Sequence, residues 1–349
     1  MDPAPDQPLT NCWTPWHDRL HRELLQHPQL LPRGDRLLVA VSGGQDSMAL
    51  TGLLLGLRRL HGWDLQLWHG DHGWHARSAT IASELAAWCQ AQGLPLRISH
   101  ANASELGANA NIGEAQARNW RYAALSQCAE DLDQTQTAMP CRRVVCAHTA
   151  TDKAETLLLH LARGSDLAGL GSLRRERVLE EATHPKLLLV RPLLSFSRQD
   201  TQTICSHLNL PVWLDPSNAD PHFSRNRIRQ HVLPVLNDLH PGCELRMAAL
   251  SERLSQVQDT QQTLLDLSLE SLQDGPSLNR SRCASLPASL RRSLLARWIA
   301  LQGGPMLSSR QLNDLSSATA QGAAPGRRDL GQGWCIHWDR KALQLEQEQ

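Results

Sequence analysis

The segment Val39-Ala-Val-Ser-Gly-Gly-Gln-Asp-Ser-Met48 gathers two hydroxyls, Ser42 and Ser47, two glycines, Gly43 and Gly44, and the carboxylate of Asp46 into one turn after an apolar run. Glycines let backbone amides come close to a ligand, and the helix that follows adds the partial positive charge of its first N–H groups. Such a turn is built to hold an anion such as pyrophosphate. It is not a Walker A loop, because the lysine of that motif is missing. A carboxylate beside a phosphate repels it unless a cation lies between, so Asp46 is the expected Mg2+ contact. The plainer use of Ser42 or Asp46 is as a helix cap.

Further groups able to do chemistry recur along the chain. His69-Gly70-Asp71-His72-Gly73, with His75 close by, could hold a metal, although histidines at a strand end beside a nucleotide more commonly make hydrogen bonds. Arg118 and Arg121 share one helix face beside Tyr122, a pair able to grip phosphates of ATP or RNA. Asp152 and Glu155, three apart, point the same way from a helix and suit an ammonium group. Arg191 follows an apolar run, where a guanidinium can neutralise charge developing on a phosphate. Arg225, Arg227 and Arg229 form a basic triplet able to meet an RNA backbone. Between residues 275 and 313 stand six arginines, Arg291 and Arg292 among them, and no Asp or Glu. That stretch offers contact with RNA phosphates without sequence reading.

These groups need a scaffold. Apolar runs at residues 37–41, 65–69, 94–99, 144–147 and 187–190 alternate with helical patterns at 46–61, 78–92, 112–129 and 152–163, after a helix at 13–27. The alternation predicts a doubly wound, mainly parallel α/β sheet, with ligands beyond the carboxyl ends of its strands. After residue 198 the pattern turns helical, at 199–208, 225–239, 244–272 and 286–301, and the tail 333–345 alternates as a terminal strand or hairpin. The organisation expected is an N-terminal extension over 1–30, a catalytic α/β domain over 31–220 and a mainly helical second domain over 221–349. Residues 101–111, rich in Ala and Asn, read as a loop.

Composition sets the class. A chain of 349 residues, 41% hydrophobic, is long enough for two domains. Its 35 basic and 35 acidic residues cancel, so the whole-chain charge announces no nucleic acid or membrane. Only three of the 35 are lysines, an arginine bias that a GC-rich genome would also give. Nine cysteines without a C-x-x-C pair predict buried thiols in a reducing, cytoplasmic setting. Neither a signal pattern nor a membrane-spanning run is present, and a soluble protein is expected.

The Ser-Gly-Gly-Gln-Asp-Ser turn closely resembles the signature of the PP-loop ATP pyrophosphatases. Four further segments resemble those of the tRNA(Ile)-lysidine synthetases within them. They are His69–Gly73; Glu114-Ala-Gln-Ala-Arg-Asn-Trp-Arg-Tyr122; Ala147-His-Thr-Ala-Thr-Asp-Lys-Ala-Glu-Thr156 followed by Arg163-Gly-Ser-Asp166; and Val190-Arg-Pro-Leu-Leu194 with Leu214-Asp-Pro-Ser-Asn-Ala-Asp220 and Arg225-Asn-Arg-Ile-Arg229. Departures from the family pattern are Trp74 and His75 in place of Leu-Arg, Thr149 for a second histidine, Thr151 for an aspartate and Lys153 for a glutamine.

The resemblance implies ATP bound by Ser42, Gly43, Gly44, Gln45, Asp46, Ser47 and Arg118, with Mg2+ at Asp46. It implies free L-lysine held by Asp152 and Glu155, and Asp46, Asp152, Glu155 and Arg191 as catalytic groups. Isoleucine tRNA with a CAU anticodon would be met by Arg121, Arg225, Arg227, Arg229, Arg291 and Arg292. The implied product is lysidine, formed through an adenylated wobble cytidine, and a homodimer is also implied. Exposing the neutral amine of lysine near pH 7.5 costs about 4 kcal/mol, so Asp152, Glu155 or a water must take a proton. The rival readings are a tRNA-thiolating relative, which typically uses paired cysteines or an iron–sulfur cluster, and a nucleotide- and RNA-binding module without catalysis.

Overall fold

The computed structural model describes residues 13–73, 77–101, 114–134, 139–179, 187–213 and 223–347. Trp74, His75, most of the expected loop at 101–111 and the segment from Leu214 to Asp220 lie outside the described residues, as does the side chain of Glu114. The chain divides into two compact units, Met1–Ser255 and Gln256–Gln349.

In the first unit β1 (Arg36–Ala40), β2 (Asp64–Asp71), β3 (Leu96–His100), β4 (Cys141–Val145), β5 (Glu176–Val178) and β6 (Leu188–Val190) form one sheet in the order β3-β2-β1-β4-β6-β5. All pairings are parallel except that of β5 with β6. The first helices are α1 (Pro15–Gln26), α2 (Gln45–His61), α3 (Ser78–Ala91) and α4 (Glu114–Gln134). After them come α5 (Ala150–Ala162), α6 (Leu167–Leu170), α7 (Arg198–His207), α8 (Ser224–Arg227), α9 (Leu233–Leu239) and α10 (Cys243–Leu272), whose residues from Gln256 on belong to the second unit. The inner strands β1, β4 and β6 carry short apolar runs, Leu37–Ala40, Val144–Val145 and Leu188–Val190, because helices cover both faces. On β1, Leu37 and Val39 join a core with α1, α2 and α7, whereas Leu38 joins another with Trp120, Leu125 and Leu132 of α4. The chain winds outward from β1 to β3 and then returns to β4 on the other side of β1. The crevice at that reversal lies beyond the ends of β1 and β4, where such sheets bind ligands.

Between α8 and α9 the backbone widens into a π-helical turn, Ile228–Val232. Pro234, the second residue of α9, brings no N–H to the preceding turn, and the wider turn absorbs that loss.

In the second unit β7 (Gln273–Asp274), β8 (Ser277–Asn279), β9 (Gly326–Gly331), β10 (Trp334–Trp338) and β11 (Ala342–Gln347) form an antiparallel sheet in the order β7-β8-β11-β10-β9. It is accompanied by α11 (Arg280–Ala284), α12 (Ala288–Leu301) and α13 (Ser309–Ala318). The second half was expected to be mainly helical, with strand at the tail alone; the helices are present, and a sheet joins them. Strands of two or three residues such as β7 and β8 are too short to show a period of two. The β9–β10 turn uses Gln332 and Gly333, with φ of 54° and 75°, the pair of positive values that matches strand twist in a two-residue hairpin. Trp338 packs into this unit's core with its Nε1 donating to Ala324 O at 2.9 Å. Among the described residues, no helix is long and apolar enough to cross a membrane.

Gly56, inside α2, tests how tightly α1 is seated. Alanine in mid-helix ordinarily stabilises by about 1 kcal/mol over glycine. Here a Cβ would lie 2.3 Å from Nε2 of His17, which is buried and bonded to the Thr14 cap. Gly56→Ala is therefore expected to destabilise by about 1–3 kcal/mol, read as a lower urea midpoint at unchanged slope. A raised midpoint would show that α1 yields at no cost.

Candidate active site

The crevice at the sheet reversal is a cavity of about 440 Å³. Its floor is the turn from Ser42 to Ser47. Gly43 adopts φ +81°, a conformation that L side chains rarely adopt, and Trp213 lies against it, so a side chain there would be both strained and crowded. Ser47 Oγ donates to Gly44 O at 2.8 Å, and Ser42 N donates to Ser47 Oγ at 3.2 Å, closing the turn on itself. Gly44 is the N-cap of α2 and has no side chain to satisfy the first amides, which suits them to an anion. The Gln45 side chain is already spent, because its Nε2 donates to Arg198 O and Thr201 Oγ1 at 2.7 and 2.8 Å. Gln45 can therefore donate to a ligand through its backbone N–H but not through its side-chain amide.

Asp46 faces the cavity and accepts from Thr201 Oγ1 at 2.5 Å, while Arg198 approaches to 3.3 Å. Burial raises its pKa, with Asp152 adding to the effect and Arg198 opposing it. Oxygen donors suit Mg2+, which typically takes one or two protein carboxylates and completes its shell with phosphate and water. Asp46 fits that requirement. Among the described residues, which leave out His75, no group of three or more His, Cys, Asp or Glu side chains is placed to hold a metal ion. His69 Nδ1 instead lies 2.8 Å from Val41 O and donates to it, while His72 lies 3.2 Å from Arg121.

Asp152, which lines the same cavity, belongs to α5, and α5 begins with a capping box. Thr149 N and Oγ1 each donate to Asp152 Oδ2 at 2.8 Å. Burial pushes the Asp152 carboxyl up, but the Thr149 donors and Arg229 outweigh it and hold it below its usual range. Asp152 lines the cavity, whereas Glu155 is fully buried behind it. Arg229 bridges the two, with Nε and Nη2 at 2.6 and 2.9 Å from the Glu155 oxygens and Nη2 at 3.4 Å from Asp152 Oδ1. Burial, reinforced by Asp152, raises Glu155 from 4.5 to about 7 despite those hydrogen bonds. The space between the two carboxylates therefore already holds a cation.

Other expected site residues are redistributed. Arg121 lines the cavity; Arg118 does not, and its guanidinium lies 5.2 Å from the Tyr122 ring centre. Arg191 is 1% exposed, donates to Arg174 O at 2.8 Å and to His148 Nδ1 at 3.3 Å, and acts on the cavity through that histidine. His148, pushed down to about 3 by burial and Arg191, is a neutral ring whose Nε2 carries the proton. Arg225 lines the cavity, Arg227 is exposed, and Arg229 is engaged as described. Arg291 is closed to RNA because it is buried, with Nε donating to Ser316 O at 2.9 Å and Nη1 to the carbonyls of Ala284 and Leu286. Arg292 bonds Asn313 Oδ1 at 3.0 Å and stays partly exposed. Sequence reasoning assigned no role to His148 or to the second-row groups Arg198 and Thr201. His148 stood within the 147–156 segment, but nothing in the spacing marked the other two.

Fold and loop together define a PP-loop nucleotide-binding protein, and the PP-loop domain family matches residues 17–236. The TilS substrate binding domain family matches residues 278–344. The tRNA(Ile)-lysidine synthase of Parasynechococcus marenigrum is 52% identical over 97% of both chains, and that of Prochlorococcus marinus strain SARG is 43% identical over 95% of this chain and 96% of its own. The chain belongs to the tRNA(Ile)-lysidine synthase family. Among solved structures, the U34-tRNA thiolase NcsA from Methanococcus maripaludis shares the fold, with a TM-score of 0.54 and 17% identity over 68% of this chain and 78% of that one.

Glu155 gives a stability signature. Its folded pKa is raised, so its contribution is full below about pH 4.5 and declines as pH rises through about 7. Glu155→Gln is expected to remove a stability difference of about 3 kcal/mol across that window, seen by denaturant titration at several pH values. An unchanged slope would mean that Arg229 keeps Glu155 ionised throughout.

Proposed function

We propose that this chain ligates L-lysine to the wobble cytidine of a CAU-anticodon isoleucine tRNA at the expense of ATP. The observation that carries the reading is that the Ser42–Ser47 anion turn and the Asp152 carboxylate line one cavity. ATP lies with its phosphates on the turn, flanked by Arg121 and Arg225. The 2-carbonyl oxygen of the cytidine attacks the α-phosphate and pyrophosphate leaves. The lysine ε-amine then attacks C2 of the adenylated base, and AMP leaves.

Asp46 would hold Mg2+, which, when bound, offsets phosphate charge. Asp152 receives the lysine ammonium, since its carboxylate stays ionised and meets the cavity. The proton passes towards Glu155, tuned to about 7 by burial and so matched to accept it near neutrality. His148 presents a neutral N–H donor, fixed in that tautomer by Arg191. The same anticodon on elongator methionine tRNA requires other positions to be read, a task assigned to the second half of the chain. Of the six arginines between residues 275 and 313, Arg280 and Arg291 are buried on carbonyls and Arg297 pairs with Asp266 at 2.7 Å, so that role falls to Arg282, Arg292 and Arg310. A thiolating activity is not favoured, because burial pushes the Cys141 thiol up to about 12 and the Cys146 thiol up as well.

Incubation with ATP, labelled lysine and isoleucine tRNA transcript is expected to place label in the RNA. Retained ATP binding without label in RNA would refute the ligase reading, and equal labelling of methionine tRNA would refute its specificity. Asp46→Asn is expected to abolish AMP release with little change in tRNA affinity; an unaffected rate would remove Asp46 from the metal role.

A further inference from the structure

Thr151 and Lys153 flank Asp152, and both are places where this chain departs from the pattern it resembles. Thr151 is 5% exposed and Lys153 is 1% exposed, and neither lines the cavity. Each is instead bound to a glutamate of α10. Thr151 Oγ1 donates to Glu244 Oε2 at 2.7 Å and accepts from Arg198 N at 3.0 Å. The Lys153 ammonium pairs with Glu252 Oε2, and Glu252 Oε1 meets Arg175 Nε at 3.5 Å. Residues 151 and 153 leave α5 in different directions, while Glu244 and Glu252 stand about 12 Å apart along α10. A single attachment would let the first turn of α5 rotate about it; two attachments on different sides fix both its rotation and its height.

We propose that Glu244 and Glu252 are positioning residues that clamp the first turn of α5 through Thr151 and Lys153 and so set where the Asp152 carboxylate meets the incoming lysine. The inference rests on the lysine-ligase reading. The arrangement is specific to the residue types present: a hydroxyl at 151 can receive one hydrogen bond and give another, and a buried ammonium at 153 requires a fixed anion opposite it.

The test measures kcat and KM for lysine, ATP and tRNA separately, with thermal midpoints, in the full chain. Thr151→Val keeps the side-chain shape and loses both hydrogen bonds. Glu244→Ala loses the acceptor, and Glu244→Gln keeps a carbonyl oxygen in its place. Lys153→Gln combined with Glu252→Gln removes both charges of the pair together, and Arg175 keeps Glu23 at 3.3 Å, so that no buried charge is left uncompensated. Thr151→Val, Glu244→Ala and the double variant are each expected to raise the lysine KM by about tenfold or more, since small misplacement of a positioning group costs up to about 100-fold. ATP and tRNA KM values stay within about twofold, and Glu244→Gln recovers the wild-type lysine KM. A lysine KM unchanged in Thr151→Val or in the double variant overturns the clamp. So does a uniform rise in all three KM values with a falling midpoint, which would mark a role in stability alone. Failure of the ligase reading is separable, because the wild-type enzyme itself would then incorporate no lysine.

Discussion

Two carboxylates one helical turn apart at the start of α5, Glu155 buried and Asp152 at the cavity, can both stay ionised only if a cation spans them, and the organisation of the site follows from that requirement. An unpaired buried carboxylate costs far more than a folded chain of this size can absorb, and two of them add mutual repulsion. Arg229 meets the need by reaching both. Its position depends on the π-helical turn at Ile228–Val232, which in turn accommodates Pro234. The proline that would interrupt an ordinary helix thus accompanies the widened turn from which the bridging guanidinium projects. The two carboxylates leave this arrangement with different proton affinities. Asp152, with the capping donors of Thr149, is held low, whereas Glu155, deeper and without them, is raised to about neutral. Divergent environments for paired acids are what an enzyme needs when one must stay charged and another must exchange a proton.

The nucleotide turn obeys the same rule with the signs distributed differently. The carboxylate of Asp46 is held by Thr201 and Arg198, and Arg121 and Arg225 line the cavity. Such a cavity attracts a polyanion while keeping the two acids that face it apart. Arg191 contributes from behind by fixing the tautomer of His148. The second unit shows how arginine can be spent otherwise: Arg280 and Arg291 are buried against backbone carbonyls, as a planar fork with five donors allows.

The parallel sheet, its helices and the anion turn were legible because each has a local cause. Apolar runs of about five residues that alternate with helical patterns point to strands buried on both faces, and the adjacent Gly43 and Gly44 point to a backbone turn. The carboxylate pair was legible too, since a spacing of three fixes a shared helix face. What spacing could not show is which cation those acids face. Arg229 read as one of three basic residues for RNA and proves to be their partner, while Arg118 and Arg121 differ in whether they reach the cavity. The β7 and β8 strands escaped notice because they are too short to carry a period.

By itself, then, the sequence determined the α/β scaffold, the nucleotide turn and the residue types available for lysine and phosphate chemistry, because backbone geometry and helical or strand period act over a few neighbouring residues. Only the tertiary structure decided how the arginines are divided among Glu155, His148, Asp46, backbone carbonyls and open solvent, and which thiols and carboxyls are shifted from their ordinary values. Those outcomes depend on burial and on partners tens of residues away in the chain. A guanidinium carries the same charge everywhere, and its role is set by what stands within about 4 Å of it.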